Sequence, residues 1–189
     1  MSRDCLLLVD VFNDFGHEDG DRLLRSFTKR HRHLHELVVG ARDRRTPVVF
    51  ANDSKGVFDG SASAVVDRAR NGPASDLIPE IEPRAGDRFV VKPRYSAFDH
   101  TPLELILDDL AIDRLVLAGM STEGCVAQTA IAARERDYKT TVVTKACATV
   151  DRNLEEIALR YLELVAGAVL VRDAAGAFDA VPAPTAAHV

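Results

Sequence analysis

The chain has 189 residues, 47% hydrophobic and 28% charged, with a formal net charge of -5. That is enough chain for one domain with a full apolar core, and the acidic balance argues against a nucleic-acid or anionic-membrane partner. No apolar run approaches the roughly 20 residues needed to cross a bilayer.

The first residues, Met1 to Asp4, show no signal-peptide layout and run straight into an apolar stretch at 5–9 that ends at Asp10. An uninterrupted apolar run predicts a strand buried on both faces, as in a parallel sheet. After a loop at 11–20, a helix is predicted over 21–43, with Leu23, Leu24, Phe27, Leu34, Leu37 and Val38 among its apolar residues. His31 and His35 share a face of that helix and His33 points elsewhere. Lys29, Arg30 and Arg32 beside them repel cations, so a solvated face is expected rather than a metal site. A second strand is read over 46–51, with Asn52 and Asp53 at its end. A polar loop follows, then a short helix over 61–70 stopped by Asn71-Gly72-Pro73, and a turn or two over 74–81. The third strand, 88–91, leads into Lys92. Thr101-Pro102-Leu103-Glu104 has the form of a capping box with proline at the first helical position, which predicts a helix from Thr101 to about Leu110.

The fourth strand, 115–118, is read as ending at Gly119, followed by a turn at 120–124. Val126, Thr129, Ala130 and Ala133 then recur at helical spacing, so a helix begins near Cys125. Gly119 and Gly124 have P-loop spacing, but the Lys and Ser or Thr of that motif are replaced by Cys125 and Val126, which removes the phosphate-reaching charge and the magnesium ligand. A thiol at a strand-to-helix turn meets the positive end of a helix dipole, so Cys125 is expected below the usual thiol pKa of about 8.5. Residues 139–144 form a fifth strand rich in Thr and Val, Asp151 caps a helix to about Val165, and 168–171 give a sixth strand. The Ala- and Pro-rich stretch 173–189 is expected to fray, leaving one domain over 1–172. Three cysteines without paired spacing fit reduced thiols in the cytoplasm, and Cys5 and Cys147 read as structural.

Strands alternating with helices predict an α/β fold: a three-layer, doubly wound sheet of about six mostly parallel strands. Ligands of such sheets bind beyond the carboxyl ends of the strands. Asp10, Lys92 and Cys125 each follow a strand, so all three are expected on that edge. A carboxylate there takes a thiol proton, an ammonium stabilises the thiolate, and backbone N–H groups of the turn before Cys125 stabilise an oxyanion. Phe12, Asn13, Phe15, Asn52, Tyr95 and Phe98 lie in loops after strand ends and are candidates for a substrate pocket, with core packing or loop solvation as the alternative. Asp14 and Asp53 have the same standing.

Three stretches resemble the isochorismatase-like cysteine hydrolases, which include nicotinamidase and N-carbamoylsarcosine amidohydrolase. They are Leu8-Val9-Asp10-Val11-Phe12-Asn13-Asp14-Phe15, Val91-Lys92-Pro93-Arg94-Tyr95-Ser96-Ala97-Phe98 and Ala118-Gly119-Met120-Ser121-Thr122-Glu123-Gly124-Cys125-Val126. The similarity runs over about 5–172. It implies the isochorismatase-like hydrolase fold and an Asp10, Lys92, Cys125 triad. It also implies a cis peptide between Met120 and Ser121, with the Ser121 and Cys125 N–H groups as the oxyanion hole, and a homo-oligomer, dimer or tetramer. Nicotinamidases carry an Asp-x-His motif after the second strand, with a further His, to hold a metal. The matching stretch here, Asn52-Asp53-Ser54-Lys55-Gly56, has no histidine, so neither metal nor cofactor is expected. Isochorismatases lack the nucleophilic cysteine, and Phe12 stands where many relatives carry Gln, which makes that pocket wall more apolar. The expected function is hydrolysis of a C–N bond of a small amide or carbamoyl compound through a Cys125 thioester. The alternatives are hydrolysis of another small electrophile, an ester or vinyl ether, and a catalytically silent binding protein on the same fold.

Overall fold

The computed structural model describes residues 3–56 and 61–179. Its strands are β1 (Asp4–Val9), β2 (Val48–Asp53), β3 (Arg88–Lys92), β4 (Arg114–Met120), β5 (Lys139–Ala148) and β6 (Val169–Val171), all parallel, in the order β3-β2-β1-β4-β5-β6. The helices are α1 (Gly20–Asp43), α2 (Ala62–Arg70), α3 (Leu103–Asp109), α4 (Ala127–Arg134), α5 (Arg152–Leu164) and α6 (Ala174–Ala177). They flank the sheet, so its central strands are buried on both faces: Cys5 to Val9 and Leu115 to Ala118 are fully inaccessible. Among the described residues no helix is long and apolar enough to cross a membrane.

The chain starts mid-sheet, runs outward through β2 and β3, then returns to lay β4 on the other side of β1. The strand order therefore reverses between β1 and β4, where open α/β sheets leave a crevice at their carboxyl ends. Asp10 leaves β1 there, and Ser121 leaves β4 there.

The structure moves several predicted boundaries. Gly119 does not end β4, which continues through Met120. At φ +134° and with an ideal Cβ only 1.9 Å from the Val9 carbonyl oxygen, position 119 admits no side chain, so glycine here serves close strand approach. β5 runs on past 144 to Ala148, because a register shift between Leu117 and Gly119 bulges the strand and lets pairing resume at Cys147. The capping box does not form: α3 begins at Leu103, and the Thr101 hydroxyl accepts from Leu103 N at 3.2 Å. Glu104 instead meets Arg136 at 3.3 Å. Residues 174–177, assigned above to a fraying tail, form α6, with Ala177 buried and the Phe178 carbonyl accepting from Arg114 at 2.8 Å; 180–189 lie outside the described residues.

His31 also departs from expectation. It is buried rather than solvated, edge-on to Phe27, with Nδ1 3.3 Å from the Glu80 carboxylate. The reason is tertiary: residues Ser75–Glu80 form a 3-10 turn that packs over α1 and covers that face.

Candidate active site

Asp10 stands just past β1 with φ +53°, a left-handed conformation that Asp tolerates better than most residues. Its amide donates to the Ala51 carbonyl at 2.8 Å, and its Oδ1 accepts from Asp53 N at 2.7 Å. The end of β2 thus fixes both ends of this residue. Oδ2 lies 2.7 Å from Lys92 Nζ. Lys92, the last residue of β3, pairs in register with Asp53 and is 0% exposed. Its ammonium also donates to the Arg94 carbonyl at 2.8 Å and reaches Cys125 Sγ at 3.5 Å. Thr129 Oγ1 accepts from Ala97 N at 3.0 Å and so ties the loop after Lys92 to α4. Acid, ammonium and sulfur, from three separate strand ends, meet in one cluster.

Cys125 is not the first residue of a regular helix. It lies in one turn of π-helix, Thr122–Val126, that leads into α4. The Ser121 carbonyl accepts from both Gly124 N and Val126 N at 3.2 Å, and the Met120–Ser121 peptide is cis. Two side chains clamp this turn to the far side of the sheet. Glu123 accepts from Thr149 Oγ1 at 2.8 Å and Val150 N at 2.9 Å. Thr122 Oγ1 sits 3.0 Å from both the Ala148 carbonyl and Glu155 Oε1. Glu155 in turn pairs with Arg30, whose Nη2 is 2.7 Å from Oε2. Sequence reasoning missed this second layer. One signal was available: Glu155 precedes Leu162 by seven residues, so it occupies the buried face of α5, where a carboxylate needs a partner.

The electrostatics correct one expectation. Burial pushes the Cys125 thiol up to about 12, Asp10 beside it adds to the rise, and Lys92 offsets only part of it. The ammonium's attraction is shared with a carboxylate that sits closer to it. Burial likewise raises Asp10 above the usual carboxylate range, against Lys92, Cys125 and the Asp53 amide. Burial alone would depress Lys92, but Asp10 and then Cys125 outweigh it and hold the ammonium above its ordinary range. Lys92 is therefore held as an ammonium beside a thiol that keeps its proton. Cys5 and Cys147 are also pushed up to about 12 by burial, so a low pKa does not single out Cys125. Its neighbours and its partial exposure do, since the other two thiols are buried.

The remaining candidates are dispersed. Asn52 is buried and clamps the Phe12 backbone from both sides, accepting from its N–H and donating to its carbonyl at 2.9 Å each. The Phe12 ring is buried against Phe50 and Phe89, Phe15 against Phe27, and Phe98 against Tyr138 with Arg136 over its face. Asn13 closes a local turn by accepting from Phe15 N, Asp14 pairs with Lys55, and Tyr95 is 62% exposed. None of these ring or polar contacts is with Asp10, Lys92 or Cys125. Exposed Asp53 accepts from Lys55 N, and among the described residues no group of three His, Cys, Asp or Glu side chains is arranged to hold a metal ion. The residues here do not fit the metal that nicotinamidases hold.

Comparison with known proteins gives a consistent answer. Residues 4–175 match the family described as Isochorismatase domain. The chain is 30% identical, over 85% of its length and 89% of the relative's, to the uncharacterized isochorismatase family protein YaaI of Bacillus subtilis. It is 34% identical to maleamate amidohydrolase of Pseudomonas putida, over 57% of this chain and 49% of that protein. Among solved structures it resembles N-carbamoylsarcosine amidase of Thermoplasma acidophilum, with TM-score 0.68, 31% identity, and 90% and 96% of the two chains covered.

Proposed function

The chain belongs to the isochorismatase family, and from that premise we propose that it is a cysteine hydrolase that cleaves a C–N bond of a small amide or carbamoyl compound. The observation that carries the reading is the Lys92 ammonium, 2.7 Å from an Asp10 oxygen and 3.5 Å from the Cys125 sulfur in a site that excludes most water.

Asp10 takes the thiol proton as the sulfur attacks the carbonyl carbon. Its raised pKa makes it a stronger base than an exposed carboxylate, and Lys92 neutralises the thiolate as it forms. The N–H groups of Ser121 and Cys125 receive the oxyanion. Collapse of the tetrahedral adduct breaks the C–N bond, Asp10 returns the proton to the leaving nitrogen, and a thioester remains on Cys125. Asp10 then draws a proton from water, the hydroxide carbon–oxygen bond forms, the carbon–sulfur bond breaks, and the thiol is restored. No step needs a cofactor or metal.

A homo-oligomer, dimer or tetramer, belongs to the same proposal. Its support is the outer stripe of α5, where Leu154, Ile157, Tyr161 and Leu164 remain exposed at helical spacing. The three free thiols support a cytoplasmic setting.

The test is ammonia release over a panel of small primary amides and carbamoyl compounds, with Cys125→Ala as the control. Release by the native chain alone is expected, with a thioester on Cys125 detectable by mass after rapid acid quench. Equal release by both proteins would remove the assignment. Turnover of esters or vinyl ethers in preference to amides would replace it with the second reading.

A further inference from the structure

A cleft of about 690 Å3 opens between α1, the last part of β5 and the start of α5, and none of its lining residues is Asp10, Lys92 or Cys125. Its volume falls in the range of small-molecule sites, about 300 to 1,000 Å3. Its charge is the opposite of the molecule's. The chain carries -5 overall, yet six guanidinium and ammonium groups line this cleft against one carboxylate, Glu155.

The positive charge is built in by three elements. On α1, Arg22, Arg25 and Lys29 follow one another at spacings of three and four, so they share a face. Like charges at that spacing cost a few tenths of a kcal/mol per pair unless something opposes them. From the other wall come Lys145 and Arg152. β6 ends at Val171 opposite Val143, β5 runs on past it, and Thr144 and Lys145 line the cleft. At the floor, Arg30 donates to the Thr144 and Cys147 carbonyls and pairs with Glu155, so both charges there are already matched. Arg25, Lys29, Lys145 and Arg152 have no carboxylate within 4.0 Å among the described residues. Four unmatched cations around one concave cleft concentrate a positive potential there.

We propose that this cleft is a second binding site, for a small polyanion that carries phosphate groups. A monocarboxylate would match one of the four free cations. A ligand with two phosphate groups matches three or more, and the planar forks of Arg25 and Arg152 suit phosphate oxygens in pairs. The proposal goes beyond the hydrolytic reading and does not depend on it.

Calorimetric titration of the full chain with inorganic pyrophosphate at about 50 mM salt tests it, where screening is weak. One molecule per chain is expected, with affinity that falls as salt rises. Arg25→Gln with Lys145→Gln should weaken binding about tenfold or more, the scale of losing a charge-assisted hydrogen bond. Lys29→Gln provides an independent single-site arm with the same direction. Arg88→Gln, on the exposed edge strand β3 far along the sheet, should leave the affinity unchanged. Absence of binding, or equal affinity in the native chain and both cleft variants, overturns the proposal. Tighter binding of citrate than pyrophosphate overturns the phosphate assignment, and tighter binding of a single-stranded oligonucleotide overturns the small ligand.

Discussion

Two ion pairs, one buried and one partly exposed, stand on either side of the turn that carries Cys125, and the proposed mechanism gives them opposite uses. Arg30 and Glu155 form a bidentate pair in which the guanidinium also satisfies two strand carbonyls and the carboxylate also meets the Thr122 hydroxyl. The third member there is an alcohol, 3.0 Å from the carboxylate and from the Ala148 carbonyl. Asp10 and Lys92 form a tighter-buried pair whose third member is a thiol. In the proposed mechanism the carboxylate, raised by burial, receives the proton on sulfur. An acid beside a cation holds geometry in one place, and under the proposed mechanism it supplies reactivity in the other. What separates them is the acidity of the third group: a thiol is a far stronger acid than an aliphatic alcohol.

The largest expected break of this contrast is at the reacting pair. Asp10→Asn keeps shape and most hydrogen bonds but removes the base, and kcat/KM for the best amide of the panel should fall about 10^3-fold or more. Circular dichroism and melting temperature should change little by comparison. Retention of a tenth or more of the activity would mean that Asp10 only orients Lys92.

Next comes the holding pair. Arg30→Met strands Glu155 without its cation, and unfolding in urea should show a loss of about 2 to 3 kcal/mol. That is the low end of the cost for breaking a buried pair, because Arg30 keeps 24% side-chain exposure. A midpoint equal to the native one would show that water replaces Arg30 freely, and the contrast between the two clusters would lose its structural half.

A smaller effect separates the roles of Asp10 and Lys92 more sharply than activity does. Asp10 raises the Cys125 pKa and Lys92 lowers it, so removing each should move thiol reactivity in opposite directions. With Asp10→Asn, the ammonium has only the thiolate to pair with. Alkylation of Cys125 by iodoacetamide at neutral pH should quicken several-fold, about what a shift of half a pKa unit to one unit produces. With Lys92→Met it should slow. In the native chain the rate should keep climbing with pH toward about 12, as the protonated resting thiol requires. Slowing in both variants would show that the thiol gains nothing from Lys92 when Asp10 is gone.

Much of this was legible in the sequence, for reasons that can be traced. The strands announced themselves because both faces of β1 and β4 are buried, which leaves no room for polar residues between Cys5 and Val9 or between Leu115 and Ala118. Asp10, Lys92 and Cys125 were visible as chemistry at strand ends. Strand alternation put all three on one sheet edge, and the resemblance named them as a triad. What the sequence did not show shares a cause. His31, Asn52 and Glu155 were all decided by what packs against them from distant parts of the chain: the 75–80 turn, the Phe12 backbone, and Arg30. The thiol pKa failed likewise. A helix dipole can be read from local sequence, whereas desolvation and a neighbouring carboxylate belong to the assembled site.

A third acid–base contact, His31 with Glu80, has neither role and gives the smallest effect. Burial lowers the His31 pKa below 6.5, with His35 adding to the drop, while Glu80 and a Leu77 backbone contact oppose it. A folded-state pKa below the unfolded value means the unfolded chain binds more protons as pH falls. The stability is therefore present above about pH 6.5 and lost progressively below it. Between pH 7.5 and 5.5 the unfolding free energy should drop by on the order of 1 kcal/mol or less. His31→Gln, which keeps a polar side chain at that position but cannot titrate, should flatten that part of the profile. If the variant shows the same slope as the native chain, the proton uptake lies in a group other than His31, and Asp10 is not that group. Its raised pKa has the opposite sign, since an ionised, desolvated Asp10 weakens the fold as pH rises through the carboxylate range.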